Sequence, residues 1–346
     1  MNGLQRVMAA VRFQPTDRVP VIAQVFGHAA MLAGVRLEDY LRDGDVLARC
    51  QLAALEHYGY DAVFAFVDAC VEVEAAGASL RFLDDHRYPF CLRPCCTLET
   101  DFTRRPVPDP RRDGRMPVQL AAARRLRAAV GDAVLVTGCV QGPITLALQL
   151  LGAETALYYA ADDPAGFERV LDYTTGVAIR FGLAQLEAGV HLPLVFEPGG
   201  SPALVPPAFF RELLLPRLAR IFEAFTAAGA LGSWLHIAGP VQPILPLYRG
   251  LGVDIANLDY YVAPEEMAAL APGVCAAGNI RPMAFVLEPP ETVVAEAGAL
   301  IAAYRGRGGF ILSSGCEIPP EANPACVGAL MVAARRAARE DGNAPA

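Results

Sequence analysis

The chain has no run of about 18 uncharged apolar residues, the length a helix needs to cross a bilayer, so no membrane span is expected. Its start, Met1-Asn2-Gly3-Leu4-Gln5-Arg6, leads directly into a mixed polar and apolar helical pattern and lacks the apolar core of a secretory signal. Positive charge is short as well. Against 37 Asp and Glu stand 29 Lys and Arg, a formal net charge of −8, which argues against nucleic acid and anionic membrane surfaces as partners. No Gly-x-Gly-x-x-Gly follows the first strand-like segment, which weakens a dinucleotide-binding reading. The nine cysteines are odd in number, which fits free thiols in a reducing, cytoplasmic compartment better than a disulfide framework.

What is present is apolar. Hydrophobic residues make up 54% of the 346 and charged ones 19%, enough for a sizeable core in one large domain. A short amphipathic helix over 4–12 precedes a strand that follows the turn at Asp17 and runs to Val25. Apolar spacing predicts a helix over 37–58 and a strand over 61–67. Residues 70–100 break the rhythm as a β-like excursion. After the loop 105–114 come a helix over 120–130, a strand over 133–140 and helical stretches near 144–150, 153–160 and 164–188. The strand 192–196 and helix 207–228 follow; then strands 232–237, 253–258, 274–278 and 310–314 alternate with helices 241–249, 264–270, 290–304 and 323–339. Eight short apolar strands, each followed by helix, predict a closed (β/α)8 barrel over 1–340 with a flexible tail over 341–346; a doubly wound open sheet is the alternative.

A barrel carries its chemistry on the rim at the carboxyl ends of its strands. Asp68, Gln141, Glu197, His236, Asp259, Asn279 and Cys316 fall there. Polar residues at so many successive rim positions are hard to explain as packing. Three strand ends offer an imidazole, a carboxylate and a thiol, the donor types that bind zinc. Strand alternation puts position 238 on the same side as His236, and Ala238 has no donor atom. Glu197, one strand earlier, is then the extra oxygen donor. His28, after the first strand, and Arg281, beside Asn279, are candidates for lining the pocket and for holding an anionic group. Cys91, Cys95 and Cys96 cluster in the excursion without a matching His or Cys pair, so a zinc knuckle is not expected there; His86 carries no signal.

Several motifs resemble those of the uroporphyrinogen decarboxylase superfamily. They are Arg18-Val19-Pro20-Val21, Gln141-Gly142-Pro143-Ile144-Thr145-Leu146-Ala147, His236-Ile237-Ala238-Gly239, Gly278-Asn279-Ile280 and Ser313-Ser314-Gly315-Cys316-Glu317-Ile318-Pro319-Pro320. Within the superfamily the chain looks most like the corrinoid-dependent methyltransferases that pass a methyl group from a methylcobamide to a thiol such as coenzyme M. The resemblance implies a cytoplasmic (β/α)8 enzyme whose methyl donor sits on a separate corrinoid protein. It also implies zinc held by a His-x-Cys pair after strand five and a Cys after strand eight. The matching positions are His236, Ala238 and Cys316; the middle one departs from the pattern. Asp259 resembles in placement a carboxylate ligand of the related cobalamin-independent methionine synthases.

The leading expectation is therefore a methyltransferase acting between a corrinoid and a small thiol or other acceptor. His236, Cys316, Asp259 and Glu197 would hold a metal, and Asp68, Glu197 and Asp259 would serve catalysis. His28, Gln141, Asn279 and Arg281 would bind substrate. A metal-free decarboxylase, using Asp68 or Asp259 to stabilise a cationic pyrrole-like intermediate, ranks second. Decarboxylases of the superfamily carry an Arg-rich segment after strand one, whereas Gln24-Val25-Phe26-Gly27-His28-Ala29-Ala30 has no Arg before Arg36. A non-catalytic barrel partner of a corrinoid protein ranks third. Apolar helices in an Ala-rich chain would suit a homodimer.

Overall fold

Eight short parallel strands carry the chain around a barrel: β1 (Val21–Ile22), β2 (Ala62–Ala65), β3 (Leu135–Gln141), β4 (Leu192–Phe196), β5 (Trp234–His236), β6 (Ile255–Asn257), β7 (Cys275–Ile280) and β8 (Phe310–Ser314). They pair in the order β1-β8-β7-β6-β5-β4-β3-β2, all in parallel. This computed structural model describes residues 1–83 and 87–342. The fold is the (β/α)8 barrel expected from the alternation of apolar strands and helices. No helix among the described residues is long and apolar enough to cross a membrane.

Side-chain alternation divides the core in two. Inward-facing Ile22, Phe64, Leu135, Leu194, Trp234, Ile255, Cys275 and Ile311 fill the barrel, and Val7 and Ala10 of the helix Gly3–Val11 join that same inner cluster. Outward-facing Val63, Val136, Val195, Leu235, Ala256, Ala276 and Leu312 pack under the ring of helices. Both strand faces are thus buried, which is why these strands read as continuous apolar runs.

β1 and β2 are the ends of the sheet order, and Asp61 joins them directly. Asp61 N–H donates to Val21 O at 2.8 Å, and its own carbonyl accepts from Leu135 N at 3.1 Å. Its carboxylate is 1% exposed. It accepts from Val21 N (2.8 Å), Arg6 Nη1 (2.6 Å) and both Arg18 Nη atoms (2.7 and 2.9 Å). Arg6 continues to Asp17 at 2.6 Å. The first helix is thereby tied to the seam.

Several boundaries differ from the sequence reading for local reasons. The stretch 37–58 is two helices, Leu37–Arg42 and Gly44–Tyr58, because Asp43 turns extended and caps the second through Asp45 N and Val46 N. Helix 207–228 widens into a π-helical turn over Phe210–Leu214, just before Pro216, whose missing N–H cannot continue the ladder. β5 and β6 have three residues each, shorter than expected, and β7 runs on through Asn279 to Ile280. The excursion holds an antiparallel pair, Ser79–Arg81 with Phe90–Arg93. The last helix ends at Glu340. His86 and the tail beyond residue 342 lie outside the described residues.

Removing the seam carboxylate leaves the half-buried Arg18 without its carboxylate and the buried Arg6 with Asp17 alone. Asp61→Ala is expected to lower unfolding stability by roughly 3–5 kcal/mol in urea titration. A loss under about 1 kcal/mol would mean that the barrel closes without it.

Candidate functional site

The strand register builds the site before any side chain is considered. Gln141, Phe196, His236 and Asn257 are paired neighbours across β3, β4, β5 and β6. Their side chains therefore form one row at the carboxyl end of the barrel interior. Ser313, paired with Ile22 and Asn279, faces the same interior from β8. Gln24 completes the ring from β1, two residues past Ile22, with Nε2 donating to Asn257 Oδ1 at 3.2 Å and Ser314 O at 2.9 Å. Asn257 Nδ2 in turn donates to Gly315 O at 3.0 Å. Beside this ring Phe26 packs edge-on against Phe64 and Phe66, with centroids 4.9 and 4.8 Å apart.

Much of this ring has no protein partner. His236 is 0% exposed, yet neither ring nitrogen is hydrogen-bonded. The imidazole is held against Phe196, with ring centroids 4.5 Å apart. Burial keeps it neutral, its pKa pushed down to about 3 against a smaller opposing interaction with the Asn257 side chain, which lies near the ring without a well-formed hydrogen bond. Both side-chain atoms of Gln141, Oε1 of Gln24 and Oγ of Ser313 are buried and unpartnered too. Leaving such groups without a partner costs about 1–3 kcal/mol each, so the cluster is built to be completed by water or a ligand.

Other expected residues are committed elsewhere. Glu197 is wholly buried, and its Oε1 and Oε2 accept Ile144 N (2.9 Å) and Thr145 N (3.0 Å), capping the helix Pro143–Leu151. Burial raises its pKa to about 7. Gly142 is required beside it, since a Cβ there would lie 2.3 Å from Glu197 Oε2. Asp259 is a crosspiece between strand ends. Its Oδ2 accepts Gly239 N at 3.0 Å, its Oδ1 accepts Tyr260 N at 2.8 Å, and a Cβ on Gly315 would come within 2.9 Å of Oδ1. Strand ends five, six and eight therefore meet around Asp259. The Cys316 thiol is half-buried next to Gly315 and is pushed up to about 12, chiefly by burial.

The remaining candidates have structural partners. Asp68 is paired with Arg115, which also holds Glu74 at 2.7 Å. His28 sits in the helix Gly27–Leu32, where Nδ1 donates to Pro320 O (3.1 Å) and Nε2 accepts from Tyr58 OH (2.8 Å). It is a satisfied core histidine, 1% exposed. Asn279 Nδ2 donates to Val262 O at 2.6 Å. Arg281 is exposed and pairs with Glu288 at 3.1 Å.

The zinc set expected from the resemblance does not fit the donors as they are placed. Ala238 offers no atom, and both oxygens of Glu197 and of Asp259 already accept backbone N–H groups. Among the described residues no three His, Cys, Asp or Glu side chains are grouped to hold a metal ion.

Six residues at the mouth escaped the sequence reading: Gln24, Glu72, Tyr88, Asn257, Ser313 and Glu317. Glu72, 2% exposed, accepts Gln141 N at 2.8 Å, and burial raises its pKa to about 7. Glu317 accepts from Tyr88 OH, which itself accepts Gly27 N at 2.7 Å; burial raises the carboxyl to about 8. Gln24, Asn257 and Ser313 could have been found by counting every second residue along their strands. Glu72, Tyr88 and Glu317 lie in a short helix and loops, where no period marks them.

Residues 2–337 match the family model described as uroporphyrinogen decarboxylase (URO-D), and the chain belongs to that family. Its relatives divide between two chemistries. A uroporphyrinogen decarboxylase of Anaeromyxobacter sp. (strain Fw109-5) is 28% identical over 334 residues, covering 91% of this chain and 93% of the relative. The methylcobamide:CoM methyltransferase MtaA of Methanosarcina barkeri is 27% identical over 322 residues, covering 91% and 92%. Among solved structures, a methyltransferase from Methanosarcina mazei superposes with a TM-score of 0.87 at 26% identity, covering 99% of this chain and all of that one. A B12-independent methionine synthase from Shewanella sp. W3-18-1 shares the fold, with a TM-score of 0.60 at 15% identity.

Glu72 gives a test of the mouth's electrostatics. Its carboxyl titrates near 4.5 when unfolded and about 7 when folded. Its contribution to stability is present below about 4.5 and is lost as pH rises through about 7. Glu72→Gln keeps the acceptor for Gln141 N but cannot ionise. Between pH 4.5 and pH 8 the parent is expected to lose more stability than the variant, by on the order of 3 kcal/mol, in urea titrations at both pH values. Parallel losses would contradict a buried, protonated Glu72.

Proposed function

We propose that this chain is a methyltransferase, moving a methyl group between a methylcobamide carried on a partner corrinoid protein and a small thiol or comparable acceptor. The observation that carries this reading is the ring of neutral, unpartnered polar side chains around His236. It is joined by the likeness to methyltransferases over nearly the whole chain.

The acceptor sits with its S–H or N–H against a ring nitrogen of His236 and a second polar atom against Gln141. Phe196 holds the imidazole plane. In the step itself the acceptor's lone pair forms the new bond to the methyl carbon. A methylcobamide at the mouth would supply the methyl as an electrophile and would keep the electron pair of the broken bond, while His236 would take the acceptor proton. An imidazolium is costly at this depth, so proton uptake accompanies methyl transfer instead of preceding it. Buried polar walls exclude bulk water from the exchange.

A decarboxylase is the second reading, favoured by relatives that bear that name. Against it stands the mouth's charge. Arg115 is bound by Asp68 and Glu74, and Arg281 by Glu288, so neither of these two cations is free to hold a polycarboxylate.

The test is incubation of purified protein with methylcobalamin and a panel of thiols that includes coenzyme M, followed by absorbance. Protein-dependent and thiol-dependent demethylation is expected, reduced about 100-fold or more in His236→Ala. No transfer to any thiol, with coproporphyrinogen formed from uroporphyrinogen, would overturn the reading in favour of the second.

A further inference from the structure

The antiparallel pair of the excursion ends in three cysteines that the barrel chemistry does not use. Cys95 Sγ and Cys96 Sγ lie 3.9 Å apart. Arg105 Nη2 approaches Cys95 Sγ at 3.8 Å while donating to Ala76 O, and Arg105 Nε is buried without a partner. Cys95 is half-buried, whereas Cys96 is 6% exposed and anchored by its N–H to Leu150 O at 3.0 Å. Cys91 is half-buried nearby, its Sγ 3.8 Å from Gln149 O.

Reactivity follows thiolate character and access. Burial is the first cause that pushes up Cys50, Cys70, Cys91, Cys139, Cys275, Cys316 and Cys326. Cys96 is raised as well, first by its hydrogen bond to Cys95. Cys95 alone goes the other way, held down to about 7 by the Cys96 S–H and then by the Arg105 guanidinium. Among the described residues these thiols do not form a metal-holding group. The chemistry open to an activated thiol with a second thiol beside it is oxidation.

We propose that Cys95 and Cys96 are a redox-reversible dithiol, with Cys95 the sulfur that reacts with hydroperoxides and Cys96 the sulfur that resolves it. In the first step the Cys95 thiolate attacks a peroxide oxygen. The S–O bond forms, the O–O bond breaks, and the departing oxygen takes a proton from solvent to leave as water or an alcohol. Cys95 becomes a sulfenic acid and the peroxide is reduced by two electrons. In the second step Cys96 gives up its proton and attacks the Cys95 sulfur. The S–S bond forms and the S–O bond breaks, so hydroxide leaves with that proton as water. Neighbouring Cα atoms stand about 3.8 Å apart, shorter than the roughly 4.4–6.8 Å of ordinary disulfides, so the product is easily reduced again by small thiols.

The experiment uses the full chain, reduced, desalted and exposed to hydrogen peroxide at pH 7 before alkylation and peptide mass spectrometry. The expected result is a Cys95–Cys96 peptide lighter by two hydrogens, resistant to alkylation, and restored by dithiothreitol. Cys96→Ser is expected to trap a dimedone adduct at Cys95, formed about tenfold faster than at Cys91. Prior oxidation of another cysteine, or accumulation of sulfinic acid at Cys95 in the unaltered chain without an S–S bond, would overturn the proposal. The unaltered chain gives this answer even if Cys96→Ser fails to fold.

Discussion

One buried carboxylate brings the two ends of the sheet together. Asp61 gathers Arg6, Arg18 and Val21 N at the β1–β2 seam, and its backbone bonds both neighbours. The consequence is felt at the far end of the same strands. Only in a closed barrel do residues from β1, β3, β5, β6 and β8 converge on one axis. Gln24 can reach Asn257 and Ser314 because β1 is brought round to β8. Val19, Pro20 and Val21 follow Arg18 directly, so this short motif reads as the start of β1 and the approach of its guanidinium to the seam.

At the mouth the opposing terms are desolvation and hydrogen bonding. Barrel interiors are filled with side chains, and here the lower layers are apolar and dry. The top layer is not. His236, Gln141, Gln24 and Ser313 are removed from bulk water without being repaid by protein partners. Native proteins tolerate that mainly where function requires it. The carboxylates around the ring differ in kind. Glu197 and Asp259 are bound to backbone N–H groups and brace the loops; Asp68 is bound to Arg115. They shape the mouth, and the neutral groups of the ring are left without protein partners.

The barrel was legible because buried parallel strands have a simple signature, short apolar runs separated by helix. The rim was legible for a related reason: a polar residue at the end of an apolar strand is conspicuous, as His236 is. Roles were harder to read. Glu197 and Asp259 look like ligands in sequence, but which backbone N–H groups they meet depends on loops that have no periodicity. His28 stood next to the rim in sequence, yet the helix Gly27–Leu32 turns it toward Tyr58. Ala238 was the clearest single signal, since a missing donor needs no geometry to be noticed.

The central claim is that the buried polar ring around His236 is a ligand site. A high-resolution crystal structure of the purified protein tests it most directly. The account predicts ordered density, water or a small molecule, within hydrogen-bond distance of a His236 ring nitrogen and of the Gln141 amide. A dry mouth, with both side chains turned onto protein partners, would contradict it.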